Sequence, residues 1–159
     1  MQRLSIRAAN QNDLEQLNEL MYLLHDEHHQ QSPEFFKTAD DIEQEKSIAR
    51  YLDNPESLVF VAVQEANIVG FITGHFCELV STVSKPVQMG SIDELYVVQS
   101  QRQNGVARAL CQTIEKRFEE YGVREMFVEV WDFNRPANRL YQELGFVNHI
   151  NWLRKPLGR

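Results

Sequence analysis

The sequence predicts a mixed α/β fold, in which a mostly antiparallel central sheet carries helices on both faces. Strand-like and helix-like segments follow one another in the order β-α-α-β-β-β-α-β-α-β. The hairpins near the middle predict antiparallel pairing, and the strand–turn–helix–strand unit after them predicts a parallel crossover. The chain has 159 residues, 43% of them hydrophobic. That is enough for one core, so we expect residues 1–159 to form a single domain.

The first part of the chain is predicted to form one strand and two helices. Residues 4–9 alternate in polarity, as a half-buried strand does. Apolar residues then recur at helical spacing from Leu14 to His29. Pro33 and its polar neighbours end that helix in a loop, and we expect a second helix over Asp41–Leu52.

The rest of the chain alternates strands with two further helices. The helices are expected over Gly105–Tyr121 and 134–146, and each has a glycine at its end. The strand-like runs are rich in β-branched and aromatic residues and cover residues 58–65, 68–79, 87–98 and 125–133. One or two further strands at the sheet edge are expected within 147–157.

Composition excludes several classes of partner. The formal net charge is −7, whereas a general nucleic-acid binder needs a basic face. No apolar run approaches the length of a membrane span, and the N-terminus has no signal core. The two cysteines, Cys77 and Cys111, lie in no metal-binding spacing and fit buried thiols of a reducing compartment. We therefore expect a cytoplasmic protein without nucleic-acid or membrane partners.

A glycine turn with an arginine on each side joins the strand 87–98 to the helix after it. It reads RQNGVAR, residues 102–108. The N-terminus of a helix offers unpaired N–H groups and partial positive charge to a phosphate, and Gly105 leaves the backbone accessible. Arg102 and Arg108 add donors for phosphate oxygens. Taken alone, the same string also fits a plain strand-to-helix turn with surface arginines.

Two motifs that follow one another along the chain resemble those of the GCN5-related N-acetyltransferase (GNAT) superfamily. The string R-Q-N-G-V-A after I-D-E-L-Y-V is similar to the acyl-CoA loop of that family, Q/R-x-x-G-x-G/A, with Ala107 at its last position. The resemblance is firm from Val87 to Val147 and looser before it. It implies a GNAT-like sheet in which two neighbouring parallel strands splay apart. The second motif keeps its spacing through Asn134, Ala137, Tyr141, Gly145 and Phe146.

The resemblance assigns acetyl-CoA, as acetyl donor, to these motifs. The backbone of the strand would bond the pantetheine arm, and the amides of the loop would hold the pyrophosphate. Tyr141 would protonate the departing thiolate, although it could instead be an ordinary packed aromatic, and Asn134 could be only a helix cap. The cofactor residues so implied are Leu95, Tyr96, Val97, Arg102, Gln103, Asn104, Gly105, Val106, Ala107, Arg108, Asn134 and Tyr141.

A proton acceptor for the attacking amine is expected among the carboxylates of the two splayed strands. Glu129 keeps the spacing to Asn134 and Tyr141 that is seen in ribosomal-protein acetylating members, and we rank it before Glu94. Because adjacent strand residues face opposite ways, Asp93 and Glu94 are not expected to point to the same side. The alternative is that these carboxylates cap the sheet edge or bind a cationic substrate.

The segment from His25 to Phe36 is expected to shape the acceptor pocket. In the resembled family the first two helices and their connection line that pocket, so His29, Phe35 and Phe36 are candidate substrate contacts. Core packing is the alternative for the two phenylalanines. The histidines in HDEHH lack both the zinc-protease order of residues and a third ligand, so we expect no metal.

The resemblance thus implies an N-acetyltransferase that moves the acetyl group directly to a primary amine. The acceptor would be a small-molecule amine or the N-terminal amine of a peptide or protein. The alternative is a non-catalytic acyl-CoA-binding sensor, which would need neither Tyr141 nor a base. A homodimer through the C-terminal strand region also remains open.

Overall fold

The structure, a computed structural model, describes residues 3–158 except for the side chain of Leu79. They fall into two compact units, Met1–Glu129 and Val130–Arg159. The second unit contains α5, Arg135–Glu143. The elements of the first unit are β1 (Ser5–Ala8), α1 (Leu14–Gln31), α2 (Ala39–Glu45), α3 (Ile48–Asp53), β2 (Ser57–Gln64), β3 (Asn67–Leu79), β4 (Val87–Val97), α4 (Val106–Glu120) and β5 (Glu125–Val128).

The sheet has five strands in the order β1-β2-β3-β4-β5. The first three pairings are antiparallel, and β4 with β5 is the parallel pair. Helix α4 connects these two strands, as a parallel crossover requires. The prediction of a mixed, mostly antiparallel sheet with one parallel pair is therefore confirmed.

One face of the sheet packs against α1 and α3. Helix α1 buries a stripe of Leu17, Leu20, Met21 and Leu24, as its helical periodicity predicts. The remaining members of this core come from α3 and from the face of β2, β3 and β4 that turns toward it: Ile48, Val59, Val61, Ile68, Phe71 and Tyr96. Each side chain buried in this way stabilises the fold by about 1.5–3 kcal/mol.

The opposite face packs against α4. Gly70 neighbours Phe71 and therefore faces the other side of the sheet, where Val106 and Leu110 of α4 approach it. Gly90 lies directly under the ring of Phe118, since a Cβ atom there would be 2.6 Å from the ring. The helices thus cover both faces, and α4 lies close because glycines line its contact with the sheet.

Two elements of the first unit differ from the sequence prediction. The single helix over Asp41–Leu52 is wrong, because Lys46 and Ser47 are extended and separate α2 from α3. The hydroxyl of Ser47 accepts the Ala49 N–H at 3.2 Å and so begins α3. Strand β5 ends at Val128 instead of reaching residue 133.

The second unit has less regular structure than predicted. The edge strands expected within 147–157 are wrong, since residues 147–158 form neither strand nor helix. A single strand needs a neighbouring strand for its backbone hydrogen bonds, and among residues 130–158 the regular secondary structure is α5. The large apolar side chains of the segment are exposed: Val147, Ile150, Trp152, Leu153 and Leu157.

Candidate active site

Strands β4 and β5 pair over only part of the length of β4. Their register runs from Met89↔Glu125 to Ile92↔Val128, and β5 ends there while β4 continues to Val97. Over residues 93–97, β4 pairs with β3 on one side, and within the described sheet no strand pairs with its other side. We call this unpaired side the open edge of β4.

A β-bulge lies where the open edge begins. Thr73 pairs with Glu94 but Gly74 pairs with Ile92, so Asp93 is an extra residue in β4. Asp93 contacts His75, with 2.6 Å between Oδ2 and Nδ1, and Glu94 accepts a hydrogen bond from Thr73. Because Thr73 and His75 lie two apart on β3, they share a face. The expectation that Asp93 and Glu94 point to opposite sides is therefore wrong, and the bulge is the reason.

The backbone direction along β4 decides which amides face the open edge. The Val98 N–H donates to Val69 O at 2.9 Å, and the Glu94 N–H donates to the Thr73 hydroxyl at 3.0 Å, so both point toward β3. Alternation in the ladder then directs the N–H groups of Leu95 and Val97 to the open edge. The Tyr96 N–H faces β3, so two of the three predicted strand residues offer donors there.

The loop after β4 ends in a helix N-terminus without a side-chain cap. Gln103 and Gly105 have φ of 66° and 81°, and Gly105 is the N-cap of α4. A Cβ atom on Gly105 would meet nothing within 4 Å, so the backbone there is open to a ligand. The first helical bond of α4 runs from the Ala109 N–H to Gly105 O at 3.0 Å. The N–H groups of the preceding turn have no acceptor inside the helix and suit an anion.

Arg102 ties the start of this loop to β4 and α1. Its Nε donates to Val97 O at 2.8 Å, and its Nη2 lies 2.9 and 2.8 Å from the two carboxylate oxygens of Glu27. The guanidinium also lies over the Tyr96 ring, 5.3 Å from the centroid. Arg102 therefore positions the loop here, in addition to the phosphate contact predicted for it.

Glu94 is the centre of a buried polar cluster, which we call the Glu94 cluster. It comprises Lys46, Tyr51, Thr73 and Glu94. Glu94 is only 6% exposed. Its carboxylate pairs with the Lys46 ammonium, accepts from the Thr73 hydroxyl and lies 3.4 Å from the Tyr51 hydroxyl. Burial and the charge of Glu94 raise the pKa of Tyr51, which stays protonated as a donor.

His25 lies within electrostatic reach of the Glu94 cluster. Burial, reinforced by the positive charge of Lys46, lowers the pKa of His25 to about 4. Its Nε2 is buried and has no hydrogen-bond partner among the described residues. His25 is thus a neutral imidazole at neutral pH, a role that the sequence did not reveal.

The other predicted acidic residues have different surroundings. Glu129, which we ranked first as proton acceptor, directly follows β5 and is exposed. Asp93 lies beside His75 and is 3.3 Å from the Ser91 hydroxyl. Burial raises the pKa of Asp93, although the hydrogen bond from His75 opposes that effect. Glu94 is therefore the most enclosed carboxylate at the open edge.

The candidate acceptor residues lie at the end of α1 and in the loop after it. His29 Nδ1 is 2.9 Å from Phe36 O, and the rings of His28 and Phe36 stack with centroids 4.9 Å apart. Phe35 is 39% exposed. The segment is thus fastened to α1 by the side chains of neighbouring histidines.

Asn134 and Tyr141 belong to the second unit. The Asn134 side chain accepts the Ala137 N–H at 3.3 Å and caps α5, so the predicted capping role is present. Tyr141 is 8% exposed and packs against Phe146, with ring centroids 5.3 Å apart. The first unit contains Glu94, Glu129, the glycine loop and the predicted cofactor residues of β4.

Most of the Glu94 cluster has no specific signal in the sequence. Lys46 and Tyr51 come from the region predicted as one continuous helix, so neither was placed near β4. Thr73 carries the one weak signal, a polar residue in the apolar strand IVGFITGHF. A hydroxyl inside such a run needs a partner when it is buried, and Glu94 provides it.

Thiol and metal chemistry have little support in the described chain. Burial raises the pKa of Cys111 to about 12 and raises that of Cys77, so both thiols are protonated at neutral pH and are weak nucleophiles. Within residues 3–158 no group of three histidine, cysteine or acidic side chains is arranged to hold a metal ion. No helix in that range combines the length and hydrophobicity of a membrane span.

Comparisons with known proteins agree with this architecture. The chain is similar to an acetyltransferase from Vibrio fischeri whose crystal structure is solved, with 57% identity over 80% of this chain and 96% of that one, at a TM-score of 0.67. It also resembles the fold of the aminoglycoside N-acetyltransferase AAC(6')-Iy, solved with CoA, at a TM-score of 0.76, 21% identity, and coverage of 98% of this chain and 96% of that one.

Sequence comparison gives the family. An N-alpha-acetyltransferase from Sulfurisphaera tokodaii is 32% identical over 101 residues, a match that spans 60% of this chain and 60% of that protein. Residues 18–146 match the model of the Acetyltransferase (GNAT) family. That match includes the open edge of β4, the glycine loop and α5. The chain therefore belongs to the acetyltransferase (GNAT) family.

Proposed function

We propose that the protein is an N-acetyltransferase that moves the acetyl group of acetyl-CoA directly to a primary amine. The observation that carries the proposal is the open edge of β4, which is followed by the glycine loop and then by the N-terminus of α4, where no side chain provides a cap. The family match from 18 to 146 takes in parts of both units, which supports one catalytic domain.

Acetyl-CoA fits the open edge and the loop by the donors they offer. The N–H groups of Leu95 and Val97 suit the amide carbonyls of a pantetheine arm, and one of them would polarise the acetyl carbonyl. The amides from Gln103 to Arg108 suit the pyrophosphate. The neighbour AAC(6')-Iy, solved with CoA, supports this assignment.

Glu94 is the better supported proton acceptor for the attacking amine. A base must come within hydrogen-bond reach of the amine, and Glu94 already contacts an ammonium group, that of Lys46. Glu129 is the alternative, because it directly follows β5, the parallel neighbour of β4. Tyr141 is proposed to protonate the coenzyme A thiolate as it leaves.

The acceptor is a primary amine of a small molecule or of a peptide N-terminus. The similarity to an aminoglycoside N-acetyltransferase supports a small-molecule amine. The similarity to an N-alpha-acetyltransferase supports a peptide N-terminus. The net charge of −7 and the carboxylate of Glu94 favour an acceptor that arrives as a cation.

The test is release of coenzyme A thiol from acetyl-CoA in the presence of a panel of amines and short peptides. We expect turnover with at least one cationic acceptor. Tyr141→Phe should lower kcat and leave acetyl-CoA affinity nearly unchanged, because only the proton donor is removed. Unchanged kcat would remove Tyr141 from the acid role. Tight acetyl-CoA binding without turnover on any acceptor would favour the non-catalytic acyl-CoA-binding alternative.

A further inference from the structure

Lys46 places the chain's own primary amine against the candidate base. It lies in the two-residue extended connection between α2 and α3. Its ammonium pairs with Glu94 and lies 5.7 Å from the centroid of the Tyr51 ring. A carboxylate and an aromatic face together form a typical site for an alkylammonium group.

This pair differs from an ordinary surface salt bridge. The side chain of Glu94 is 4% exposed and that of Lys46 is 39% exposed, so a partly exposed amine reaches a buried carboxylate. Lys37 gives the contrast, because its pair with Glu45 is 61% and 65% exposed. A pair as exposed as the second one has little energetic or functional weight.

The position of Glu94 in β4 brings the amine of Lys46 close to the proposed site of acetyl transfer. Glu94 directly precedes Leu95, whose N–H faces the open edge where the proposed function puts the acetyl thioester. An amine held at Glu94 is thus held where an external acceptor would be needed. We propose that Lys46 is an internal acetyl acceptor, which the protein modifies with acetyl-CoA, and this inference rests on the proposed function.

The reaction balances with acetyl-CoA as the only co-reactant. The Lys46 ammonium gives one proton to the Glu94 carboxylate, and the neutral Nζ attacks the thioester carbonyl. An N–C bond forms and the C–S bond breaks. Coenzyme A leaves as a thiolate and takes up the second proton, which the nitrogen loses as the amide forms, and Glu94 releases the first proton to solvent. The products are therefore acetylated Lys46, free coenzyme A and one proton.

Acetylation of Lys46 changes the charge in the Glu94 cluster. The amide product is neutral and no longer pairs with the carboxylate. Glu94 keeps its hydrogen bonds from Thr73 and Tyr51 and is free to receive an external ammonium group. The modified protein is therefore expected to bind cationic acceptors more tightly than the unmodified one.

The experiment incubates the full chain with deuterium-labelled acetyl-CoA and locates the label by peptide mass spectrometry. We expect Lys46 to be labelled at least about tenfold faster than Lys37, because only Lys46 is positioned beside the base. Lys37 is the matched control, since it is near in sequence, more exposed and open to uncatalysed acetylation. The rate per molecule should not depend on protein concentration, and excess coenzyme A should suppress labelling of Lys46 alone.

A second variant separates the base from the amine. Glu94→Gln should slow the labelling of Lys46 and leave that of Lys37 unchanged. Labelling of Lys46 no faster than that of Lys37, in a protein shown by calorimetry to bind acetyl-CoA, would overturn this inference and leave the proposed function standing. Failure of the folded protein to bind acetyl-CoA would overturn both.

Discussion

The two halves of β4 have the same kind of backbone but opposite surroundings. From Met89 to Ile92 the strand has neighbours on both sides, and Gly90 there lies tightly under Phe118. From Asp93 to Val97 it has a neighbour on one side only, and the buried carboxylate of Glu94 lies there. The first half holds the sheet together, while the second leaves backbone donors at the open edge and carries the proposed base.

The bulge at Asp93 marks the change from one half to the other. It adds one residue to β4 opposite β3, and the pairing with β5 ends one residue earlier, at Ile92. Bulges redirect side chains and strengthen local twist. A single inserted residue thus separates structural pairing from the candidate chemistry in one strand. Changes in the two halves should therefore have separable effects, on activity or on stability.

The largest effect is expected from removing the carboxylate in the second half. Glu94→Gln should lower kcat by about 10²–10⁴, the usual contribution of a general base, while the protein remains folded. Glu129→Gln is the matched control and should leave kcat nearly unchanged. Both would be measured by steady-state thiol release with an amine that the wild type accepts. A larger loss in Glu129→Gln would transfer the role of base to that residue.

A change in the first half should affect stability and leave acetyl-CoA binding intact. Gly90→Ala places a Cβ atom 2.6 Å from the Phe118 ring, and overpacking of this kind costs about 1–3 kcal/mol. Urea unfolding measures the loss, and calorimetry on the folded protein measures acetyl-CoA affinity. Lost affinity with unchanged stability would contradict the division between the two halves.

The neutral imidazole near the Glu94 cluster predicts a pH dependence of stability. The folded pKa of His25 is about 4, below its ordinary 6.5, so the unfolded chain binds the proton more readily. Stability from this residue is complete above about pH 6.5 and is lost as pH falls toward 4. Because His25 is partly exposed, solvent screening weakens this effect, and we expect the free energy of unfolding to fall by roughly 2 kcal/mol. Urea titrations from pH 7 to about pH 4 should therefore show a flatter profile in His25→Gln, and an unchanged profile would refute the assignment.

The smallest effect concerns how the loop is held beside the second half. If Arg102 acts by positioning the loop, Glu27→Gln should raise the dissociation constant for acetyl-CoA about two- to fivefold, as loss of a partly exposed ion pair does. If Arg102 instead contacts phosphate, freeing it from Glu27 should tighten binding. Calorimetry decides between these outcomes by the direction of the change.

The sequence predicted the mixed sheet, the helices α1, α4 and α5 and the position of the glycine loop, because each depends on local patterns. The apolar stripe of α1 and the glycines that flank α4 can be recognised from residues that are close together in the sequence. The break at Lys46 and Ser47 was missed because a lysine followed by a serine inside a helix-like stretch is a weak signal for the N-cap of a new helix. The position of Lys46 beside Glu94 depends on the packing of distant elements, which local patterns do not encode.

The bulge shows a different limit of sequence reasoning. Strict alternation placed Asp93 and Glu94 on opposite faces, and no glycine or proline at this point signals an inserted residue. Only the register between β3 and β4 reveals it. The ranking of Glu129 over Glu94 came from spacing within the motif, which carries no information about burial.

The most direct test of the central claim is calorimetric titration of acetyl-CoA into the full chain and two matched variants. Gly105→Glu and Gly122→Glu alter the two ends of α4, where both glycines have positive φ, 81° and 85°, and open surroundings. Backbone strain and added charge are thus alike. We predict that the wild type and Gly122→Glu bind alike and that Gly105→Glu loses at least about tenfold in affinity, because its carboxylate repels the pyrophosphate. Equal affinity in all three, or no binding to the folded wild type, would contradict the assignment of acetyl-CoA to this loop.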